Sequence, residues 1–234
     1  KLMGRPNLVY RQVQAGTNAC FSIHTLDKVW ADEYAALQDI PMIDTVMLRT
    51  PMILHPKSSK RTGMFTEIDT QPMTYFNKGE SNWFCYPCKV GALLCFVYFN
   101  SKYMSSALSM ANLFELATKE ESAQKPDLVV IFGNDDGNDD TNFYYDEAND
   151  IWVGCISDNP RIEYFGYLKK MCLTLHNLAQ MKKGWLPIHG AFVNIYLKDG
   201  TKKGIMLMGD SGAGKSESIE ALKAAAGDMI REVE

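Results

Sequence analysis

Eight residues, Gly209-Asp210-Ser211-Gly212-Ala213-Gly214-Lys215-Ser216, have the types and spacing of a phosphate-binding loop, G-x-x-x-x-G-K-[ST]. Glycines at these positions let backbone N–H groups turn inward around a phosphate, and a helix opening at the end of the loop adds its positive pole. Lys215 would reach the β- and γ-phosphates of a nucleotide such as ATP, and Ser216 would offer its hydroxyl to a nucleotide-bound Mg2+. The motif carries weight only between a strand and a helix. Apolar Ile205 to Met208 leads into Gly209, and Ser216 to Ala226 reads as a helix closed by Gly227. A glycine-rich turn without a ligand is the plainer alternative, but every fixed position and both flanks fit the phosphate loop.

Two further groups stand upstream. His189 heads a strand-like run, and the cations Lys169 and Lys170 lie 20 and 19 residues before it. By themselves a single histidine and a lysine pair are more often surface or core residues than metal ligands.

The stretch Tyr164-Phe165-Gly166-Tyr167-Leu168-Lys169-Lys170 resembles the Tyr-x-Gly-x-x-Lys-Lys signature of ATP-dependent phosphoenolpyruvate carboxykinases. His189 falls where that family has its metal-binding histidine, and a strand, a hairpin and the phosphate loop follow in the same order. The resemblance covers about a quarter of the chain and is weak upstream of Tyr164. It implies that Lys170 and His189 bind a Mn2+-type ion, with the lysine neutral, and that Tyr164 lines the oxaloacetate or phosphoenolpyruvate pocket. It further implies catalytic roles for Lys170, His189 and Lys215, with Ser216 as a third metal ligand.

The chain departs from that family at three places. Thr62-Gly63-Met64-Phe65-Thr66-Glu67-Ile68-Asp69 begins like the family's substrate-carboxylate segment but lacks its arginine, leaving Arg61 or Arg49 as candidates to replace it. Tyr167 stands where the family usually has glutamate. Ser216-Glu217 replaces two threonines, and the wording Gly-Asp-Ser-Gly-x-Gly-Lys-Ser-Glu is similar to HPr kinase/phosphorylase, as is His189-Gly190 ahead of Asn194-Ile195-Tyr196. A non-catalytic nucleotide-binding protein is the third reading.

The elements that must position these groups imply a mixed α/β chain. The expected organisation is an N-terminal carboxykinase-like, substrate-side domain over 1–183, then the start of a P-loop nucleotide-binding domain over 184–234. Within it, a short helix is expected over Ala31–Leu37, and extended chain over Thr45–Leu54, broken at Pro51. Ser58–Gly63 reads as a basic loop. Strands are expected at Val90–Asn100, Leu128–Phe132 and Ile151–Ile156. Helical spacing of Leu108, Ala111, Leu113, Leu116 and Ala117 predicts a helix over Ser105–Glu121. A second, over Arg161–Met181, has Leu168, Cys172, Leu175 and Leu178 on one face. Asn134–Asp140 is an acidic, turn-rich loop that misses the calcium-loop pattern. Ile188–Leu197 and Gly204–Met208 form a hairpin through Lys198-Asp199-Gly200. The 18 residues after Ser216 are too few for a further strand–helix pair. The expectation is therefore a fragment, inactive alone, whose acidic metal ligand and base-binding residues lie elsewhere.

Composition excludes some classes. With 234 residues and net charge −4, the chain offers no general attraction to nucleic acid or anionic membranes. No apolar run approaches the roughly 18 residues of a membrane span, and there is no leader-like start. Six cysteines in a chain of this length imply reduced thiols and a cytoplasmic address. Cys85-x-x-Cys88 lacks a second ligand pair for zinc and a helix at its first cysteine for redox work, so it reads as structural.

Overall fold

Strands outnumber helices in the regular structure, and the computed structural model describes residues 8–14, 17–48, 63–210, 212–225 and 230–233. The chain divides into two units, Lys1–Ala179 and Gln180–Glu234. The architecture is mixed α/β.

The first unit is built on a nine-stranded sheet: β1 (Leu8–Gln14), β2 (Thr17–His24), β3 (Met42–Leu48), β4 (Thr66–Glu67), β5 (Trp83–Val90), β6 (Leu93–Asn100), β7 (Leu128–Asn134), β8 (Thr141–Asp146) and β9 (Ile151–Ser157). Their spatial order is β1-β2-β3-β5-β6-β7-β9-β8-β4. Pairing is parallel for β3/β5, β6/β7, β7/β9 and β4/β8 and antiparallel elsewhere. Every residue of the central strand β7 is buried, as a strand covered on both faces must be.

On one face lies α3 (Gly166–Lys182), which seats Leu168, Met171, Cys172 and Leu175 in the core beside Val130 and Phe132. It approaches closely enough that a Cβ on Gly154 would stand 2.5 Å from Met171 Sδ. The other face carries a 3-10 turn over Asp32–Leu37, whose Tyr34 and Leu37 pack with Trp83, Phe96 and Ile131. Tyr34 donates to the buried Asp146 carboxylate at 2.8 Å, and the Asn149 N–H and side-chain amide and the Gln71 amide donate to it as well.

Several expected elements need correction. The helix over Ser105–Glu121 is three pieces: α1 (Met104–Leu108), a 3-10 turn over Ser109–Asn112, and α2 (Lys119–Ser122). Helical spacing misled because residues 115–117 pair with β5 instead. Lys89 N–H donates to Glu115 C=O, Ala117 N–H donates to Pro87 C=O, and Leu116 bridges Cys88. Thr118 then starts a new helix with a capping box to Glu121.

The helix expected from Arg161 begins at Gly166, since Pro160–Glu163 is a 3-10 turn and Tyr164 is extended. Val90 ends β5, and the hairpin turn at Gly91, with φ +61°, separates it from β6. The short helix expected over Ala31–Leu37 is the 3-10 turn, and the expected strands at 128–132 and 151–156 are β7 and β9. Extended chain from Thr45 is seen as far as Leu48. Residues 49–62, with Pro51, Arg49, Arg61 and most of the basic loop, lie outside the described residues.

The second unit is a three-stranded antiparallel sheet of order β11-β10-β12 with one helix: β10 (Gly190–Leu197), β11 (Lys202–Met208), α4 (Lys215–Ala225) and β12 (Ile230–Val233). Asp199 accepts from Thr201 N–H at 2.8 Å and Gly200 takes φ +88°, closing the β10–β11 hairpin. β12 shows that the residues after the loop helix do reach a strand; the helix's closing Gly227 lies outside the described residues. Among the described residues, no helix is long and apolar enough to cross a membrane.

Candidate functional site

In the second unit β11 runs directly into the glycine loop, which hands the chain to α4 at Lys215. Gly212 and Gly214 have φ +84° and +80°, the left-handed region that turns successive N–H groups to one side. A Cβ on Gly209 would meet the Ala213 Cβ at 2.8 Å, so the loop folds back on itself only with glycine at its start. Ala213 N–H donates to Asp210 C=O at 3.1 Å, and Ser218 N–H and Oγ–H both donate to Gly214 C=O at 2.8 Å. The loop is thus tied at its first and last thirds; Ser211 lies outside the described residues.

Lys215 spans the loop. Its ammonium donates to Gly209 C=O at 2.7 Å and to Asp210 C=O at 2.8 Å. Ser216 and Glu217 follow, exposed, in the first turn of α4, where a carboxylate complements the helix pole.

The hairpin brings His189 to this loop. Gly190 pairs with Met208, so His189 lies across from Gly209, whose N–H donates to the His189 carbonyl at 3.5 Å. A Cβ on Gly190 would sit 2.8 Å from the Leu207 carbonyl oxygen, which explains the glycine beside the histidine. The imidazole is exposed.

The other expected site residues belong to the first unit. Tyr164 immediately precedes α3, and its ring lies against Gly166, where a Cβ would be 2.3 Å from the Tyr164 ring. Its carbonyl accepts from Tyr167 N–H at 3.0 Å, and the two rings stand edge to face at 6.5 Å. Lys169 and Lys170 are exposed on α3, opposite the buried Leu168, Met171 and Cys172. Tyr164 is therefore brought together with Gly166 and Tyr167, and the His189 backbone with the start of the glycine loop.

Donor chemistry at the loop suits a hard cation beside a nucleotide: Ser216 is an accessible hydroxyl next to Lys215. Among the described residues, no group of three or more His, Cys, Asp or Glu side chains is placed to hold a metal on its own.

All six cysteines are free. Cys85 and Cys88 lie in β5 and are fully buried, packing in different core clusters on the two faces of the sheet. Burial pushes the Cys85 thiol well above its ordinary range. The neighbouring thiols of Cys172 and Cys88, with burial, do the same to Cys95. Such thiols are poor nucleophiles.

Sequence reasoning missed Arg161, Asn159 and strands β4 and β8, which together line a polar cleft in the first unit. The only available signal was Asn159-Pro160, a turn opener ahead of the Tyr164 motif. No protein-family model matches the chain, and comparison with curated proteins finds no match.

Proposed function

We propose that the chain belongs to a P-loop phosphotransferase that binds ATP with Mg2+ through residues 209–216. Within that class we read it as phosphoenolpyruvate carboxykinase-like, converting oxaloacetate and ATP to phosphoenolpyruvate, ADP and CO2, with residues 1–183 on the substrate side. The observation that carries the reading is the strand–loop–helix at Gly209–Lys215, with its left-handed glycines, its spanning lysine and His189 beside its first residue.

In this reading oxaloacetate loses CO2 to leave an enolate, whose oxygen attacks the γ-phosphorus while the bond to ADP breaks. Lys215 and the loop N–H groups hold the triphosphate in line and offset the charge that develops on it. Tyr164 lines the substrate pocket, and Lys170 and His189, with Ser216, would hold the Mn2+ or Mg2+. The ion, when bound, screens the approach of two anions.

A second reading, an HPr-type protein serine kinase, is favoured by Glu217 after Ser216 and by the His189-Gly190 pair at the head of β10. A coupled assay with oxaloacetate, ATP and Mn2+, run on the complete protein rather than these residues alone, separates the two. The carboxykinase reading expects ADP formation that depends on oxaloacetate and falls at least a hundredfold in Lys170→Ala and His189→Ala. Full activity in those variants would sink the metal assignment. Phosphate transfer to a protein serine, without consumption of oxaloacetate, would establish the kinase instead. Binding of nucleotide with neither turnover would leave a non-catalytic nucleotide-binding protein.

A further inference from the structure

The first unit contains an open cleft of 260 Å³ between β4, the start of β8 and the segment that leads into α3. Its walls are held by the fold. Thr66 pairs with Asn142 between β4 and β8, and the Thr141 hydroxyl donates to Met64 C=O at 3.4 Å. On the opposite side Asn159 caps the 3-10 turn, accepting from Arg161 N–H at 2.9 Å. Tyr167, buried, closes part of the cleft from the first turn of α3.

Among the described residues, Arg161 is the one cation on this cleft. Its Nη2 donates to the carboxylate of Asp139 and, at 3.5 Å, to the Asp139 carbonyl. Both contacts use the same nitrogen, so the pair is not the two-pronged fork of a strong guanidinium–carboxylate interaction. The side chains are 50% and 58% exposed, and an exposed pair of this kind contributes little to stability. Asp139 also sits on the turn-rich 135–140 loop rather than on a strand. A carboxylate of the chain therefore rests, weakly held, on the only guanidinium among the described residues of a pocket lined otherwise by hydroxyls, amides and one further carboxylate, Asp140.

We propose that this cleft binds a small carboxylate, that Arg161 is the residue that receives it, and that Asp139 is an internal competitor that yields its place. A carboxylate of single charge fits better than a phosphate dianion because Asp140 also lines the cleft and one guanidinium cannot balance both. Thr66, Asn142 and Asn159 offer hydrogen bonds to an oxygen next to the carboxylate. This deepens the proposed function by seating its small-molecule substrate, and it rests on that reading only for the claim that the carboxylate is a substrate.

The test is an NMR titration of the protein with pyruvate, and separately with inorganic phosphate, without nucleotide or metal. Backbone amides of Asn142 and Tyr167 are the reporters. The parent should bind pyruvate more tightly than phosphate; Arg161→Gln should weaken pyruvate at least tenfold, and Asp139→Asn should tighten it severalfold. Arg161→Lys, which keeps the charge and loses the fork, should fall between parent and Arg161→Gln, and it stands in should the glutamine variant fail to fold. Equal affinity in parent and Arg161 variants overturns the proposal, as does an absence of pyruvate shifts in both parent and Asp139→Asn. Tighter binding of phosphate overturns the choice of carboxylate. Turnover plays no part in this measurement, so a failed carboxykinase assay leaves it standing, and its own failure leaves the enzyme reading standing.

Discussion

β7 and β11 show how differently the two units use a strand. All seven residues of β7 are buried between two layers of side chains. In β11 none is: Lys202, Lys203, Gly204, Met206 and Met208 are exposed, and Ile205 and Leu207 are half-buried. β7 stabilises the molecule through apolar burial. β11 has little packing to contribute and serves chiefly to deliver the chain to Gly209 at a fixed angle. Apolar burial and the glycine loop are thus concentrated in different parts of the chain, and substitutions in the two should be separable.

The largest effect should fall in the first unit. Phe132→Ala removes a fully buried ring from β7 and should cost about 3–5 kcal/mol, read by denaturant unfolding, with nucleotide affinity of the remaining folded protein unchanged. Parallel loss of nucleotide affinity in folded protein would break the separation. Lys215→Ala should do the reverse. Nucleotide affinity should drop on the order of 100-fold, about 2.7 kcal/mol, in a fluorescent-ATP titration, with the unfolding of the first unit unmoved. Gly212→Ala forces a side chain into the left-handed region and should cost roughly 1–2 kcal/mol locally while weakening nucleotide binding. Thr118→Ala removes the side-chain half of a capping box, leaving the backbone N–H to Glu121 in place, and should cost about 1 kcal/mol of first-unit stability alone.

Alkali sharpens the same contrast. Burial raises the Cys155 thiol from its ordinary 9.0 to about 12 and the Tyr103 phenol from 10.0 to about 12. Both are neutral in the fold and ionise earlier when unfolded. Their contribution is intact below pH 9 and is lost as pH rises from about 9 to 12. Unfolding free energy of the first unit, followed across that window, should decline, and Cys155→Ala should flatten the lower part of the decline.

How much of this the sequence disclosed follows from how local each signal is. The strand–loop–helix at Gly209–Lys215 was legible because its glycines, its lysine and both flanks lie within a dozen residues. The β10–β11 hairpin was legible because Asp199-Gly200 selects the turn. Continuous apolar runs revealed β7 and β9. The run around Leu116 was misread because helical spacing cannot report that Glu115 and Ala117 pair with β5, a contact made between distant segments. Arg161 was passed over for the same reason: its cleft is assembled from residues near 64, 141 and 161 that only the sheet order brings together. Strand β4, two residues long, leaves no pattern to find.

The two carbonyl oxygens that hold the Lys215 amine have a consequence for selectivity. Two of the three ammonium N–H groups are taken by the chain, so a ligand gains one bond freely and must compete with good acceptors for the others. A single phosphate or sulfate can take the third N–H, but displacing either carbonyl gives up a bond already made. In the proposed reading a triphosphate tail, with more oxygens along the loop, should compete for all three N–H groups better than orthophosphate does.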